Sequence, residues 1–331
     1  MFARFQDYVE YLKPSLEQAF TSHLAGLLGD LAPRETDLKK KILTGGKKIR
    51  GSLLCLVTAA LGGSVEGALP RAAAVELIQT ATLIHDDFVD QHRLRRNLPA
   101  LWTLEGARGA VLLGDIIFAS AIHMMNELGR EDGLIVSRAI AEVSRGAYHE
   151  LLNPSLLLEE MEAGRVDAAL YEKVIFLKTG VLFGAACELG AVAAKADHQA
   201  QENWRRYGVR IGEAYQIADD LQEVERCVLT GSLRGEEVAP LAPALVSVVG
   251  EMGPWLLEAL RRKSSALTGE LLEHFQTAAA LMKGEVERRL RSAVGEIEGD
   301  LPADDYGRLM RKTPWDLIQM FNEAGLPVSP P

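Results

Sequence analysis

Asp86, Asp87 and Asp90 stand at positions i, i+1 and i+4 of an apolar-periodic stretch, Glu76 to Arg96. A helix there puts Asp86 and Asp90 on one face about one turn apart, with Asp87 offset to the side. Aligned carboxylates repel, and a fold keeps such a pair near apolar neighbours only where a cation or a hydrogen-bond donor compensates. Magnesium suits the pair, because it is held by one or two carboxylates plus substrate phosphates and keeps several waters. Arg93, Arg95 and Arg96 follow at once, and planar guanidinium groups are what a bidentate phosphate clamp requires. Metal-binding and anion-binding groups side by side would satisfy a metal-bound diphosphate ester.

An isolated Asp-Asp-x-x-Asp is more often a solvated helix end than a metal site. Here the motif has a partner. Asp219-Asp220-Leu221-Gln222-Glu223 repeats the spacing and is preceded by Gln216-Ile217-Ala218. Two such helix ends facing each other would bind a cluster of metal ions that neither holds alone. Lys47 and Arg50 open a helix after Gly45-Gly46, where cations oppose the macrodipole unless an anion sits there. Lys178 lies among Phe176, Leu177, Leu182 and Phe183, an apolar setting that calls for an anionic partner. Gln79 reads either as a ligand or as a satisfied core amide. His85 reads as a packing residue, and Asp115 as an acceptor for the arginine region.

The elements that must position these residues are almost all helical. Apolar residues recur at three- and four-residue spacing over about 3–29, where Pro14 ends or kinks the first part, then over 35–43, 47–61, 105–128, 131–152, 166–195 and 198–229. Breaks fall at a turn around Pro33, at Thr44-Gly45-Gly46, at Asn153-Pro154 and at the Gly-rich 231–235, before shorter helices and an amphipathic tail up to Pro327. Leu245 to Val249 is the one β-leaning run, and a single strand has no partner. The expected class is all-α, one domain over 1–331, a bundle of ten or more helices around a central cavity.

A formal net charge of -10 argues against a nucleic-acid binder, whose affinity comes from surplus Lys and Arg. Cys55, Cys187 and Cys227 are far apart and read as reduced core thiols. The N-terminus carries charges where a signal peptide needs an apolar run, and no stretch reaches membrane-span length without charge, so a cytoplasmic protein with no stable membrane insertion is expected.

With these residues in order, the chain resembles the trans-isoprenyl diphosphate synthases. Gly45-Gly46-Lys47-Lys48-Ile49-Arg50 is similar to the family's Gly-Gly-Lys-x-x-Arg, Asp86 to Asp90 with Arg95-Arg96 to its first aspartate-rich motif, Lys178-Thr179-Gly180 to its Lys-Thr-Gly element, and Gln216 to Glu223 to its second aspartate-rich motif. Gln79 stands where the family often has a histidine. The resemblance implies a homodimer that condenses isopentenyl diphosphate with an allylic diphosphate. It implies Mg2+, three ions in all, on Asp86, Asp90 and Asp219, supported by Asp87, Asp220 and Glu223. Arg95 and Lys178 would draw charge onto the allylic diphosphate until it ionises. Lys47, Arg50, Gln79 and Arg96 would hold isopentenyl diphosphate, and Thr179, Gln216 and the Lys178 carbonyl would stabilise the carbocation.

Thr82, one turn below Asp86, and its neighbour Ala81 are small, which implies a deep pocket and a product of geranylgeranyl length or longer, with Ile78 or a facing helix as the floor. Three departures from the family pattern stand out. Asn97 replaces a glycine after the arginines, Glu223 replaces an aspartate, and the stretch after the second motif is shortened and lacks the usual lysines, leaving Arg234 as the nearby cation. The missing lysines leave open a catalytically impaired partner or regulatory subunit. A class I terpene cyclase would use the same metals, but Lys47, Arg50 and Arg96 argue for a second diphosphate.

Overall fold

Phe5, Tyr8, Leu12, Leu16, Phe20 and Leu24 recur at helical spacing and are all buried, and the first helix, α1 (Phe5–Leu28), runs through Pro14 without ending. An interior proline costs about 3 kcal/mol, which a continuous apolar face on both sides of it offsets. The computed structural model describes residues 2–29, 37–150, 154–262 and 264–320. Pro33, Asn153 and the tail toward Pro327, singled out in the sequence, lie outside these residues.

After α1 come α2 (Asp37–Thr44), α3 (Ile49–Ala60), α4 (Val65–Val89), strands β1 (Leu94–Arg95) and β2 (Leu98–Pro99), α5 (Leu101–Leu128), α6 (Arg130–His149), α7 (Pro154–Glu162) and α8 (Ala168–Ile175). A π-helical turn, Phe176–Gly180, joins α8 to α9 (Val181–Ala193). The chain continues through α10 (His198–Thr230), β3 (Ser232–Arg234), α11 (Gly235–Val248), α12 (Gly253–Arg262), β4 (Ser264–Ala266), α13 (Gly269–Ile297) and α14 (Asp305–Gln319). The all-α class holds among the described residues, since the strands are two short antiparallel pairs, β1 with β2 and β3 with β4.

Three details differ from the sequence pattern. Leu245 to Val248 is helical, the end of α11, because Ala242 and Leu245 bury one face at helical spacing. The 105–128 helix begins at Leu101 and breaks at Gly106, whose φ of 74° and ψ of 165° are non-helical. The helix expected over 166–195 is interrupted by the π turn. Two helical stretches, Leu101–Leu128 and Ala168–Ala193, are long and apolar enough to cross a membrane by length and composition; both carry charged residues, and the second is largely buried.

The chain groups into two compact units, one of Met1–Ala141, Leu182–Gly208 and Val294–Pro331, the other of Glu142–Val181 and Val209–Ala293. In the first, α1, α3 and α4 share a core of Leu53, Leu54, Val57, Ala72, Val75 and Ile78. Ser64 caps α4, its hydroxyl accepting from the Gly67 N–H at 3.2 Å. The α1 N-terminus is fixed by Asp316 of α14, which accepts from the Phe5 N–H at 2.7 Å. In the second unit Asp167 caps α8 by accepting from the Leu170 N–H at 2.8 Å. Arg289 of α13, 3% exposed, pairs with Glu213 of α10, Glu172 of α8 and Glu285 of its own helix. A buried cation with three carboxylate partners ties α8, α10 and α13 into one block. Cys55, Cys187 and Cys227 are buried free thiols, as their setting in the sequence suggests.

Candidate active site

In the first unit, β1 and β2 are joined by a two-residue turn, Arg96-Asn97, with φ of 53° and 60°. Both central residues at positive φ make a type I′ hairpin, and asparagine is the side chain that best replaces glycine there. Asn97 therefore meets the backbone demand that the family meets with glycine. The turn lays the Arg96 guanidinium on Gly45 and Gly46. A Cβ added at Gly46, whose φ is 126°, would come 3.1 Å from Arg96 Nη1, and one at Gly45 would come 3.3 Å from it. The two glycines leave the room that Arg96 occupies.

The loop that follows is anchored from below. Lys48 is 3% exposed with φ of 52°; its ammonium sits 3.8 Å above the Phe20 ring and donates to the Gly45 carbonyl at 3.5 Å. Burial lowers its pKa, and the nearby Glu76 partly counters that. Glu76 itself accepts from the Gly51 N–H at 2.8 Å. Sequence reasoning missed Lys48 because its neighbours Lys47 and Arg50 match the motif and it does not. Lys47 is exposed and donates to the Met320 carbonyl at 2.7 Å, and Arg50 lies 4.3 Å over the Phe183 ring. Gln79 is half-buried on α4, two turns before Asp86.

The acidic end of α4 divides its three carboxylates. Asp87 is buried and accepts from Arg95 Nε at 2.7 Å. Asp86 and Asp90 are half-exposed, and Asp90 caps the helix, its N–H bonding to the Asp86 carbonyl at 2.8 Å. One crevice is lined by Gly45, Asp87, Arg95 and Arg96. Asp115 does not reach the arginines; it lies 3.6 Å from His85 Nε2, which also sits 3.1 Å from the Val111 carbonyl. Gly114 makes that seat, since a Cβ there would fall 2.1 Å from His85 Nε2. Among the described residues no three His, Cys, Asp or Glu side chains form a ready metal cage. Asp86 and Asp90 are an oxygen-only donor pair, of the kind that holds magnesium together with substrate phosphates and water.

In the second unit the π turn carries Lys178, Thr179 and Gly180. Such turns widen a helix locally and turn its side chains off the regular register. Helices approach it closely from two sides. A Cβ on Gly146 would meet Leu177 Cβ at 2.8 Å, and one on Gly180 would meet Glu213 Cγ at 3.3 Å. Lys178, 31% exposed at its side chain, donates to Glu150 at 2.6 Å. Glu150 is the anionic partner that the apolar flanks required, and it carried no motif of its own. Thr179 is buried, and its hydroxyl donates to Gln216 Oε1 at 2.7 Å. Gln216 Nε2 in turn donates to Asp220 Oδ1 at 3.1 Å, and the other Asp220 oxygen accepts from the Tyr171 hydroxyl at 2.7 Å.

Burial pushes the Asp220 carboxyl up to about 7, with Tyr171 and Gln216 pulling against the shift and Asp219 adding to it. Asp219 reaches solvent, yet the protein packed around it raises its pKa, opposed by Lys178. Glu223 is exposed and paired with Arg226 at 2.7 Å. Beyond the motif, Arg234 is held by Glu237 at 2.5 Å, and Arg226 reaches the same carboxylate at 2.9 Å.

The sequence profile of the polyprenyl synthetase family matches residues 35–227, a stretch that contains both acidic motifs and the Lys-Thr-Gly element. The chain belongs to the polyprenyl synthetase family. As a polyprenyl synthetase it is a trans-prenyltransferase by class, with the all-α isoprenoid synthase fold. It is 34% identical over 248 residues to the geranylgeranyl diphosphate synthase of Mycobacterium tuberculosis, covering 74% of this chain and 67% of that one. It is 37% identical over 180 residues to the geranylfarnesyl diphosphate synthase of Methanosarcina mazei, covering 54% of this chain and 58% of that one. Its fold matches the crystal structure of a Caulobacter crescentus polyprenyl synthase complexed with calcium and isoprenyl diphosphate, with a TM-score of 0.66, 26% identity, and 96% of this chain and 98% of that one covered.

Proposed function

We propose that this polyprenyl synthetase joins isopentenyl diphosphate head to tail to an allylic diphosphate, whose carbon–oxygen bond breaks to release pyrophosphate, and that loss of a proton from the isopentenyl unit to that pyrophosphate leaves a polyprenyl diphosphate of geranylgeranyl length or longer. The observation that carries the reading is the crevice of the first unit, where Gly45, Asp87, Arg95 and Arg96 meet at the acidic end of α4. Two relatives named for geranylgeranyl and geranylfarnesyl products support the length. Thr82 and Ala81, small and buried below Asp86, agree with it.

Asp86, Asp90 and Asp219 would hold magnesium, three ions in the full site, with Asp87, Asp220 and Glu223 behind them. Bound magnesium supplies Lewis-acid stabilisation of the leaving diphosphate. Arg95 and Lys178 add fixed positive charge where negative charge develops. Lys47, Arg50, Gln79 and Arg96 hold the diphosphate of isopentenyl diphosphate beside the allylic group, which makes the encounter effectively intramolecular. The Thr179 and Gln216 oxygens and the Lys178 carbonyl turn the negative ends of their dipoles toward the carbocation. We take residues 1–331 as one functional domain. We further propose a cytoplasmic homodimer with no nucleic-acid partner, in keeping with the net charge of -10.

The test is incubation of the purified protein with magnesium, labelled isopentenyl diphosphate and each allylic primer, followed by product sizing. Incorporation that is abolished by Asp86→Ala and by Lys178→Ala supports the reading. No incorporation with any primer would favour the partner-subunit reading, which the engagement of Arg234 by Glu237 favours on the structural side.

A further inference from the structure

Asp220 belongs to an aspartate-rich motif, yet its surroundings are those of an anchor. Both of its oxygens are taken by protein donors, Oδ1 by Gln216 Nε2 at 3.1 Å and Oδ2 by the Tyr171 hydroxyl at 2.7 Å. Asp219, its neighbour, is exposed. Neighbours on a helix lie about 100° apart, so one of the pair turns inward when the other turns out. Tyr171 is 6% exposed and comes from α8, two helical turns before Thr179.

The bonds define an orientation. When ionised, Asp220 only accepts, so the Gln216 amide then turns its NH2 toward Asp220 and its oxygen toward the Thr179 hydroxyl. The flipped amide would set its oxygen against the carboxylate and its NH2 against a hydroxyl that would then have to accept. Asp220 thereby decides which way the Gln216 dipole points, and Tyr171 decides where Asp220 stands. The block beneath is rigid, because Glu172, next to Tyr171, and Glu213, one turn before Gln216, are both paired with Arg289.

We infer that Tyr171 and Asp220 are positioning residues for the prenyl-transfer step, which act through hydrogen bonds to aim Gln216 and Thr179, and that Asp220 is not a metal ligand. The inference rests on the function proposed above and adds a relay, Tyr171 to Asp220 to Gln216 to Thr179, in which a side chain outside every motif governs the orientation of two inside them.

Tyr171→Phe removes one hydroxyl and keeps the ring in its buried place. With Asp220 held on one side only, kcat falls about tenfold, a size typical of lost orientation, while the KM for isopentenyl diphosphate and the magnesium half-saturation stay within about twofold. Asp220→Asn keeps both bonds if the tyrosine hydroxyl turns to accept, so it leaves magnesium pyrophosphate binding, measured by calorimetry, within about twofold of the parent. A tenfold or greater loss of that binding in Asp220→Asn, or a Tyr171→Phe kcat within twofold of the parent, overturns the inference. Tyr171→Phe, Asp220→Ala, which removes the acceptor, and their double mutant are also unfolded in urea. Coupling between them supports the Tyr171 to Asp220 bond, and strict additivity overturns it. A parent protein that incorporates no isopentenyl diphosphate counts against the function reading, and the unfolding cycle still decides whether Tyr171 holds Asp220.

Discussion

Thr179 and Gln216, 37 residues apart in the chain, are joined by a 2.7 Å hydrogen bond from the threonine hydroxyl to the amide oxygen. The bond links the π turn to α10 and holds the two side chains in one arrangement; in the function proposed above, their oxygens would serve a carbocation without reorganisation.

Replacing Thr179 by valine keeps the shape and removes the donor. The Gln216 oxygen loses a partner in a partly buried place, a stability cost of about 1 kcal/mol. We expect kcat to fall about tenfold with substrate KM nearly constant, because the lost interaction serves the transition state more than the ground state. Steady-state kinetics beside a urea unfolding curve separates the two effects. A change in KM alone would place Thr179 in substrate binding.

Asn97 occupies a left-handed position with φ of 60°. Asn97→Gly should leave stability and activity close to the parent, since glycine adopts that conformation freely. Asn97→Val, β-branched, should lose about 1–2 kcal/mol and disturb the hairpin that carries Arg95 and Arg96. The melting temperature reads the first effect, and the KM for isopentenyl diphosphate reads the second. Equal melting temperatures for the two variants would refute the assignment of the turn.

Gly46→Ala sets a Cβ 3.1 Å from Arg96 Nη1 at a φ of 126°. The guanidinium is the far end of a flexible side chain and can move, so part of the cost falls on binding. Unusual φ values cost of order 1–3 kcal/mol. We expect a severalfold rise in the KM for isopentenyl diphosphate with a smaller change in kcat, together with a lowered melting temperature.

Burial raises the Asp316 carboxyl above its ordinary value, although the Phe5 N–H, Arg4 and Lys312 pull it down. The folded state then binds a proton more tightly than the unfolded chain does. The contribution of Asp316 to stability is full below the ordinary carboxylate value and is lost as pH rises through the raised one. Asp316→Asn keeps an acceptor for the Phe5 N–H and has no charge to bury. Its stability relative to the parent should therefore climb across that window and level off above it. Urea unfolding at a series of pH values checks this, and a relative stability that falls with pH would contradict the assigned direction.

Residue type and spacing were enough to find the acidic ends, the basic loop and Lys178, because metal and phosphate chemistry demands carboxylates, arginines and lysines at set intervals. The helices were legible too, since an apolar face must recur every three or four residues wherever it is to be buried; α1, α3, α4 and α10 lie close to where that pattern puts them. The β-leaning run before Val249 misled because aliphatic residues suit a buried helix as well as a strand.

The partners were not legible. Glu150 on Lys178, Tyr171 on Asp220 and Glu237 on Arg234 belong to no motif, and neither does the π turn, which leaves no trace in apolar periodicity when both of its flanks are buried. By itself the sequence determined the class of fold and the chemistry on offer, since those depend on local composition and interval. Only the tertiary structure decided which carboxylate is exposed and which is an anchor. Asp219 and Asp220 are the same residue side by side, and what separates them is which face of α10 is packed against Tyr171.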